Sequence, residues 1–514
     1  MITQAIPPTH YVDVTNLPEE ISAISPDVSS AIANDGRDDA AAIQAAIDWV
    51  TAQREAGSTD EAVVYIPEGV FDLAETLQVD VPGITFQGSG SGVTVVRNAD
   101  SLRADFNQIP DSGVNIDSID REAYLFDLDE NANNVRFIGL TLTGPEIHGA
   151  ILGVRADNLE ISGAEFNNFG WSAIRLFALS GAEIHDSVFI DAGGEVDGTT
   201  GGSIYATYLS DAEIHNNEFS RSGDREGNVY GIKGRKFDNT RIHHNTIDVN
   251  FAIELPFEND SFVEIDYNLL DGVISIPKFG GGPVPENGFT FHIHHNYFKR
   301  SYSLEWTRSG AEVDHNVFVF DTERDNGNLI SSFGDEPAPG PTKFHNNLVL
   351  NPGRGVFWSK GIYENFSFYN NEVIANETVT PRTEGLFGFN GETDFSTIEI
   401  RDNVIKVNGV SRPLVRNDAS YDAIVENNTL SNISDASKLD NPDTGAPRGL
   451  LEPLSFRVGA NEAFTVDGFD LRSAKVTSLG LNHSTGAVEN NEDIGQVGWP
   501  QWLQPLLQWF QRWS

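Results

Sequence analysis

"IHNNEF", residues 214 to 219, returns along the chain with the same plan, an apolar residue, a short polar stretch holding one asparagine, and an apolar residue again. Its recurrences are "IHHNTI" (242 to 247), "IDYNLL" (265 to 270), "IHHNYF" (293 to 298), "VDHNVF" (313 to 318), "FHNNLV" (344 to 349), "FYNNEV" (368 to 373), "IRDNVI" (400 to 405) and "VENNTL" (425 to 430). The fourth position is always Asn: Asn217, Asn245, Asn268, Asn296, Asn316, Asn347, Asn371, Asn403 and Asn428, 20 to 32 residues apart. "IHDSVF" (184 to 189) extends the series upstream with Ser187 in that place.

A fixed motif at this period is the signature of a solenoid. Apolar residues on both sides of a polar bend read as strand, turn, strand, and no helix-period stretch separates one repeat from the next. Each repeat is therefore predicted to be one coil of a parallel β-helix, its strands pairing with the coils above and below at about 4.8 Å. The Asn is expected to take a left-handed bend and to bond through its amide to the same position of the next coil. The column before it holds His215, His243, His294 and His345. Stacked imidazoles could converge on an ion, but Asp266, Asp314 and Tyr369 interrupt the column. It is read as an outward polar position with no metal.

The ends differ, as solenoid caps must. "DDAAAIQAAIDWV" (38 to 50) sets Asp before an apolar-periodic run with Ile43, Ala46, Ile47 and Val50 on one face, and predicts a capping helix over 38–54. The expected organisation is an N-terminal cap (1–61), a β-helix domain (62–440), and a C-terminal linker and tail (441–514). The linker reads "NPDTGAP" (441 to 447), and the tail carries Trp499, Trp502, Trp509 and Trp513 as an amphipathic segment.

The chain has 514 residues, 33 Lys and Arg against 76 Asp and Glu, and a formal net charge of −43. A field of that sign repels polyanions and argues against nucleic acid or an anionic membrane as partner. A hydrophobic fraction of 39 % is ample for a core, so the acidity belongs to the surface, as in proteins suited to salt. Zero Cys leaves neither disulfide nor thiolate chemistry. No apolar run reaches the roughly 18 residues of a membrane span. "MITQAIPPTHYVDV" has no basic segment followed by an apolar one, so no signal peptide is expected in this chain. Asp-rich loops such as "DGRDD" (35 to 39) match no calcium-loop spacing, and no cofactor is expected.

"DDAAAIQAAID", then "VVYIPEGVFDL", then "ITFQGSGSGVTVV" resembles the opening of pectate-lyase-like right-handed β-helix proteins, a class holding polysaccharide lyases, epimerases, glycoside hydrolases and phage tailspikes. With the Asn-bearing coils the resemblance covers about residues 30 to 435. It implies the fold; one fold hosts many chemistries, so function must come from a site.

A second strand lies upstream of each Asn motif: "SAIRLFA" (172 to 178), "GSIYATY" (202 to 208), "YGIKGRK" (230 to 236), "FAIELPF" (251 to 257), "GVISIPK" (272 to 278) and "YSLEWTR" (302 to 308). If the shared apolar residue, Ile174, Ile204, Ile232, Ile253, Ile274 or Leu304, points inward, the next points out. The outward column is then Arg175, Tyr205, Lys233, Glu254, Ser275 and Glu305. Phe177, Thr207, Arg235, Pro256, Pro277 and Thr307 lie two residues on. Cations concentrated on one face of so acidic a chain suit an anionic polymer.

To eliminate across the C4–O bond of a uronic acid, an enzyme neutralises the carboxylate, removes the C5 proton and protonates the leaving oxygen. The leading expectation is a lyase of an acidic polysaccharide, with Tyr205 and Lys233 as acid/base pair, Arg175 or Arg235 as neutraliser, and exposed side chains throughout. Lys236, Tyr208, Glu254, Lys278, Glu305 and Arg308 would help bind the chain. Tyr and Lys on neighbouring strands look like the β-helix alginate lyases, especially the family numbered thirty-one among polysaccharide lyases. That likeness implies alginate as substrate, no essential metal, and a secreted or periplasmic location. One alternative is a glycoside hydrolase using Glu254 and Glu305, whose two-coil separation of roughly 9.6 Å approaches that of an inverting pair. The other is a non-enzymatic adhesin or tailspike-like binding module.

Overall fold

The computed structural model describes residues 10–434, apart from a set of loops, and the antiparallel strands Leu454–Val458 and Glu462–Val466. The linker at 441–447 and the Trp-bearing tail lie outside the described residues. The chain divides into two compact units, Met1–Leu255 and Pro256–Ser514, so the boundary falls inside the expected 62–440 domain.

The first unit is built of coils with three strands each. One coil runs Ile204–Ser210, Glu213–His215, Glu218–Ser220, and the next Tyr230–Asp238, Thr240–His243, Thr246–Ile247. Corresponding strands pair in parallel, giving three sheets named here first, second and third in the order of that coil. The first sheet alternates as expected: Phe126, Ile151, Ile174, Ile204, Ile232 and Ile253 stand in one column with no exposed surface. In the third sheet Phe166, Phe189 and Phe219 stack at 4.8 and 4.6 Å. Each fully buried ring of this kind contributes roughly 1.5–3 kcal/mol.

The second unit repeats the plan. Its second sheet pairs Val263–Asp266, Phe291–His294, Ala311–Asp314, Thr342–His345, Phe366–Tyr369 and Ile398–Arg401 in parallel. In its first sheet Ile274, Leu304 and Ile330 share an inward column.

The asparagines form ladders. In the first unit the Asn217 N–H and side-chain amide both donate to Asn245 Oδ1, at 3.0 and 3.1 Å, and Ser187 N donates to Asn217 Oδ1. In the second unit the backbone N–H of Asn268 donates to the side-chain oxygen of Asn296. The same step runs on through Asn316, Asn347, Asn371 and Asn403 to Asn428, at 2.8–3.0 Å. The left-handed residue is not this Asn but the one before it: Asn216 and His244 in the first unit, and Tyr267, His295, His315, Asn346, Asn370, Asp402 and Asn427 in the second. The bend leaves that residue partly or fully exposed and turns the following Asn inward, where all nine are buried. A buried amide must be fully bonded, and the ladder does that.

The helix spans Ala40–Glu55, with Ile43, Ala46, Ile47 and Val50 buried. Asp38 Oδ1 accepts from Ala40 N and Ala74 N, and Asp39 accepts from Ile32 N and Asp72 N, which accounts for both carboxylates of "DGRDD" that adjoin the helix. Gln44 pairs with the backbone of Gln78 on the edge strand Leu77–Val79, at 3.1 and 2.9 Å. An uncovered edge is thereby blunted. Among the described residues no helix is long and apolar enough to cross a membrane.

Candidate functional site

The outer column of the first sheet in the first unit runs Asp127, Leu152, Arg175, Tyr205, Lys233, Glu254, each in register with the next. The expected cations and tyrosine therefore do share the face opposite the core. Their exposure differs from expectation. Arg175 has no exposed surface and Tyr205 only 7 %. The cause is remote in sequence: Ala104, Ile116 and Ile119 pack over Leu152, Val154 and Phe177, and Phe106 packs on Trp171 and Tyr205.

Arg175 is accordingly a framework group. Its Nη2 donates to Thr207 Oγ1 at 3.1 Å and its Nη1 to the carbonyls of Leu176 and Tyr205. The guanidinium carbon sits 4.4 Å from the centre of the Tyr205 ring, a cation–π contact, and Trp171 meets that ring edge-on at 5.3 Å. The role of exposed carboxylate neutraliser is thus corrected: with its surface buried and its donors engaged, Arg175 holds Tyr205 in place.

Lys233 stays reachable. Its side chain is 17 % exposed, and its ammonium lies 3.0 Å from Glu254 Oε1, 2.5 Å from Thr200 Oγ1 and 4.4 Å over the ring of Tyr230. Thr200 arrives on the short hairpin Glu195–Val196 and Thr199–Thr200. Gly202 is needed here, since a Cβ there would come within 2.9 Å of Lys233 Cβ.

At the end of these strands Ala178, Tyr208 and Lys236 all take left-handed backbone, with φ of 58°, 59° and 55°. Side chains there cost about 1–2 kcal/mol each in strain. Lys236 Nζ lies 4.5 Å over the Tyr208 ring and 3.4 Å from its hydroxyl, both side chains exposed, and Arg235 is half-buried beside them. Lys233, Lys236, Arg235, Tyr208 and Glu254 thus border one accessible stretch of strand ends.

In the second unit Glu305 is half-buried, in register with buried Ser275 and Ser331. Lys278 and Arg308 lie outside the described residues.

Sequence reasoning passed over His148, Trp171 and Thr200, and weighed Tyr230 only as an alternative to Tyr205 for the acid. His148 is buried among the rings of Phe106, Tyr124 and Trp171, and neither ring nitrogen has a hydrogen-bond partner among the described residues. Burial pushes its pKa down to about 4, against a weaker upward pull from Asp105. The available signal was positional: His148 and Trp171 each stand three residues before the paired Ile151 and Ile174, one coil apart.

These features define a right-handed parallel β-helix protein. Residues 28–219 match the family described as rhamnogalacturonase A/epimerase, pectate lyase-like, and residues 130–318 match the right-handed β-helix region. No curated protein matches the chain. Among solved structures it is similar to the tailspike protein of E. coli bacteriophage HK620 in complex with a pentasaccharide, at 12 % identity and TM-score 0.55, covering 81 % of this chain and 75 % of that one. It is also similar to the catalytic unit of a GH87 α-1,3-glucanase from Streptomyces thermodiastaticus, at 15 % identity and TM-score 0.50, covering 75 % and 66 %. The A-module of a mannuronan C-5 epimerase from Azotobacter vinelandii gives 14 % and 0.44, covering 82 % and 99 %. At these identities the likeness is one of fold.

Proposed function

We propose that the first unit carries a lyase site for an acidic, uronate-bearing polysaccharide, alginate being the first polymer to test. The observation that carries this reading is the Lys233 ammonium, held half-open between Glu254 and Thr200 and in register beside Tyr205, on the outer face of a chain of net charge −43. A substrate carboxylate fits where Glu254 now pairs, so binding would exchange one carboxylate for another at the same cation. Tyr205 and Lys233 divide the proton work: one takes the C5 proton, its electrons form the C4–C5 double bond, the C4–O bond breaks, and the other protonates the departing oxygen. Arg175 positions Tyr205, while Arg235, Lys236 and Tyr208 hold the neighbouring sugar units. A protein acting on such a polymer works outside the cytoplasm, in the periplasm or beyond.

A bound pentasaccharide on a similar fold supports a saccharide ligand in general terms. The hydrolase reading is the weaker one, because Glu254 is engaged by Lys233 rather than held as a free acid. The test is a screen of alginate, pectate, hyaluronan and carrageenan, read simultaneously by ultraviolet absorbance of the unsaturated uronate and by new reducing ends. Reducing ends accompanied by absorbance support elimination; reducing ends alone mean hydrolysis, and neither signal on any polymer points to a binding module.

A further inference from the structure

Along the outer face of the second sheet one diagonal contact recurs. In the first unit His215 Nε2 is 3.3 Å from Glu183 and His243 Nε2 is 3.6 Å from Glu213. In the second unit His294 Nε2 is 2.9 Å from Glu264 and His345 Nε2 is 3.1 Å from Glu312. Each pair joins a Glu to the His lying one coil onward and two residues along, an ordinary diagonal neighbour. Such pairs need no ion.

One strand brings two imidazoles together. Phe291–His294 carries His at both outward positions, where the coil before it has Glu264 and the coil after it has Glu312. His292 stands in register between those two glutamates, and His294 between Asp266 and Asp314. The rings of His292 and His294 are 4.1 Å apart, and ligand atoms of Glu264, His292 and His294 all lie within 4.8 Å of one another. Each imidazole is also held on one nitrogen by a neighbour: His292 Nε2 is 2.6 Å from Asp314 Oδ1, and His294 Nδ1 is 2.8 Å from His295 Nδ1. A carboxylate partner such as Asp314 fixes the ring and tautomer of a metal-binding histidine.

We infer that Glu264, His292 and His294 bind one divalent transition-metal ion of the Zn²⁺ class, which clamps two adjacent coils of the second unit. Two imidazoles and a carboxylate suit Zn²⁺ and its first-row neighbours; Ca²⁺ and Mg²⁺ take oxygen ligands. Donors on one tetrahedral Zn²⁺ stand about 3.3 Å apart at bond lengths of about 2.0–2.1 Å. Binding requires the side chains to close from 4.8 Å to that size on a backbone already paired from Val263↔Phe291 to Asp266↔His294. The sequence carried the signal in "FHIHH" (291 to 295), where alternation puts the first and third of its imidazole-bearing triplet His292, Ile293, His294 on one face.

The test uses the full chain stripped with EDTA, then titrated with ZnCl₂ by calorimetry, with Tm measured with and without the ion and with MgCl₂ and CaCl₂ as comparison salts. One equivalent of Zn²⁺ is expected to bind and to raise Tm by mass action. His292→Glu gives this strand the residue of its neighbours, and the first unit already stacks Glu160, Glu183 and Glu213 in register, so the coil has a precedent. That variant and Glu264→Gln should each lose more than about a hundredfold in Zn²⁺ affinity together with the Tm rise, beyond the roughly 10- to 100-fold that follows loss of an outer partner alone. His215→Ala, which removes an ordinary pair, should keep both. Should His292→Glu fail to fold, the near-isosteric Glu264→Gln decides. The site is refuted if the wild type takes up no Zn²⁺ at micromolar concentration, or if the folded variants bind it as tightly as the wild type.

Discussion

Two outward columns of the first unit sit on the same coils and obey opposite rules. In the second sheet His185, His215 and His243 repeat, their rings stacked at 5.0 and 4.9 Å and nearly parallel. In the first sheet Asp127, Leu152, Arg175, Tyr205, Lys233 and Glu254 follow one another, and no residue is used twice. A repeated residue on a solenoid is satisfied by its own copies above and below. A column that changes at every coil has no such explanation and must find partners of other kinds, as Lys233 does with Glu254 and Thr200. On the function proposed above, repetition marks the scaffold and departure from it the site.

The sharpest way to break that contrast is to remove a member of the changing column. Lys233→Ala and Tyr205→Phe should each lower turnover on the polymer identified by the screen about 10²- to 10⁴-fold, the usual range for a positioned proton-transfer group. The double variant should fall far short of the product of the two. Glu254→Gln separates the readings, since it spares most of the turnover of a lyase and abolishes that of a hydrolase. Near-normal turnover in Lys233→Ala would remove the first-sheet column from the chemistry.

Next in size is a change to the ladder. Asn217→Ala leaves the Ile184 carbonyl and the Ser187 N–H without the bonds they now make to the Asn217 side chain. Each buried group left unpaired costs about 1–3 kcal/mol, and the cavity adds to it, so urea unfolding should show a loss of about 3–5 kcal/mol. The kcat of the folded fraction should not change. A loss under about 1 kcal/mol would mean that the ladder is ornamental to stability and that repetition marks something else.

What could be read from the sequence followed the same division. The Asn ladder and the inward isoleucines were legible because strands alternate strictly and the coil copies its own pattern, so nine copies fix one register. The left-handed position was misplaced by one residue. Bulky Tyr267 and His295 occupy it without strain-relieving chemistry to betray them, whereas the recurrent Asn draws the assignment to itself. The column of Arg175, Tyr205 and Lys233 was legible as a column. The burial of Arg175 and Tyr205 was not, because the cover comes from Ala104, Phe106, Ile116 and Ile119, some 55 to 100 residues earlier and outside the repeat.

His148 tests that cover from within. Its unfolded imidazole takes up a proton near pH 6.5, and the buried one only near 4. Between these values the unfolded chain holds more protons, so acidification favours unfolding. At about 1.4 kcal/mol for each pH unit, the loss from this group reaches about 3 kcal/mol by pH 4. His148→Phe should flatten the fall of Tm between pH 6.5 and 4 relative to the wild type while leaving higher pH alone. Parallel curves for the two proteins would show that His148 is charged or hydrated in the folded state, and that the cover over Trp171 and Tyr205 is open.

The smallest effect belongs to the repeated column. His215 lies 3.3 Å from Glu183 and between the rings of His185 and His243, with Glu183 half exposed to water. A polar contact so placed is screened by solvent and holds two side chains against their rotamer entropy, which leaves about 0.2–1 kcal/mol. A double-mutant cycle of His215→Ala and Glu183→Gln should return a coupling within that range, smaller at high salt. Turnover should be untouched, because neighbouring coils supply the same surface to either side. If His215→Ala instead lowered turnover as much as Lys233→Ala, a fully repeated column would be part of the site, and departure from the repeat would no longer serve to tell site from scaffold.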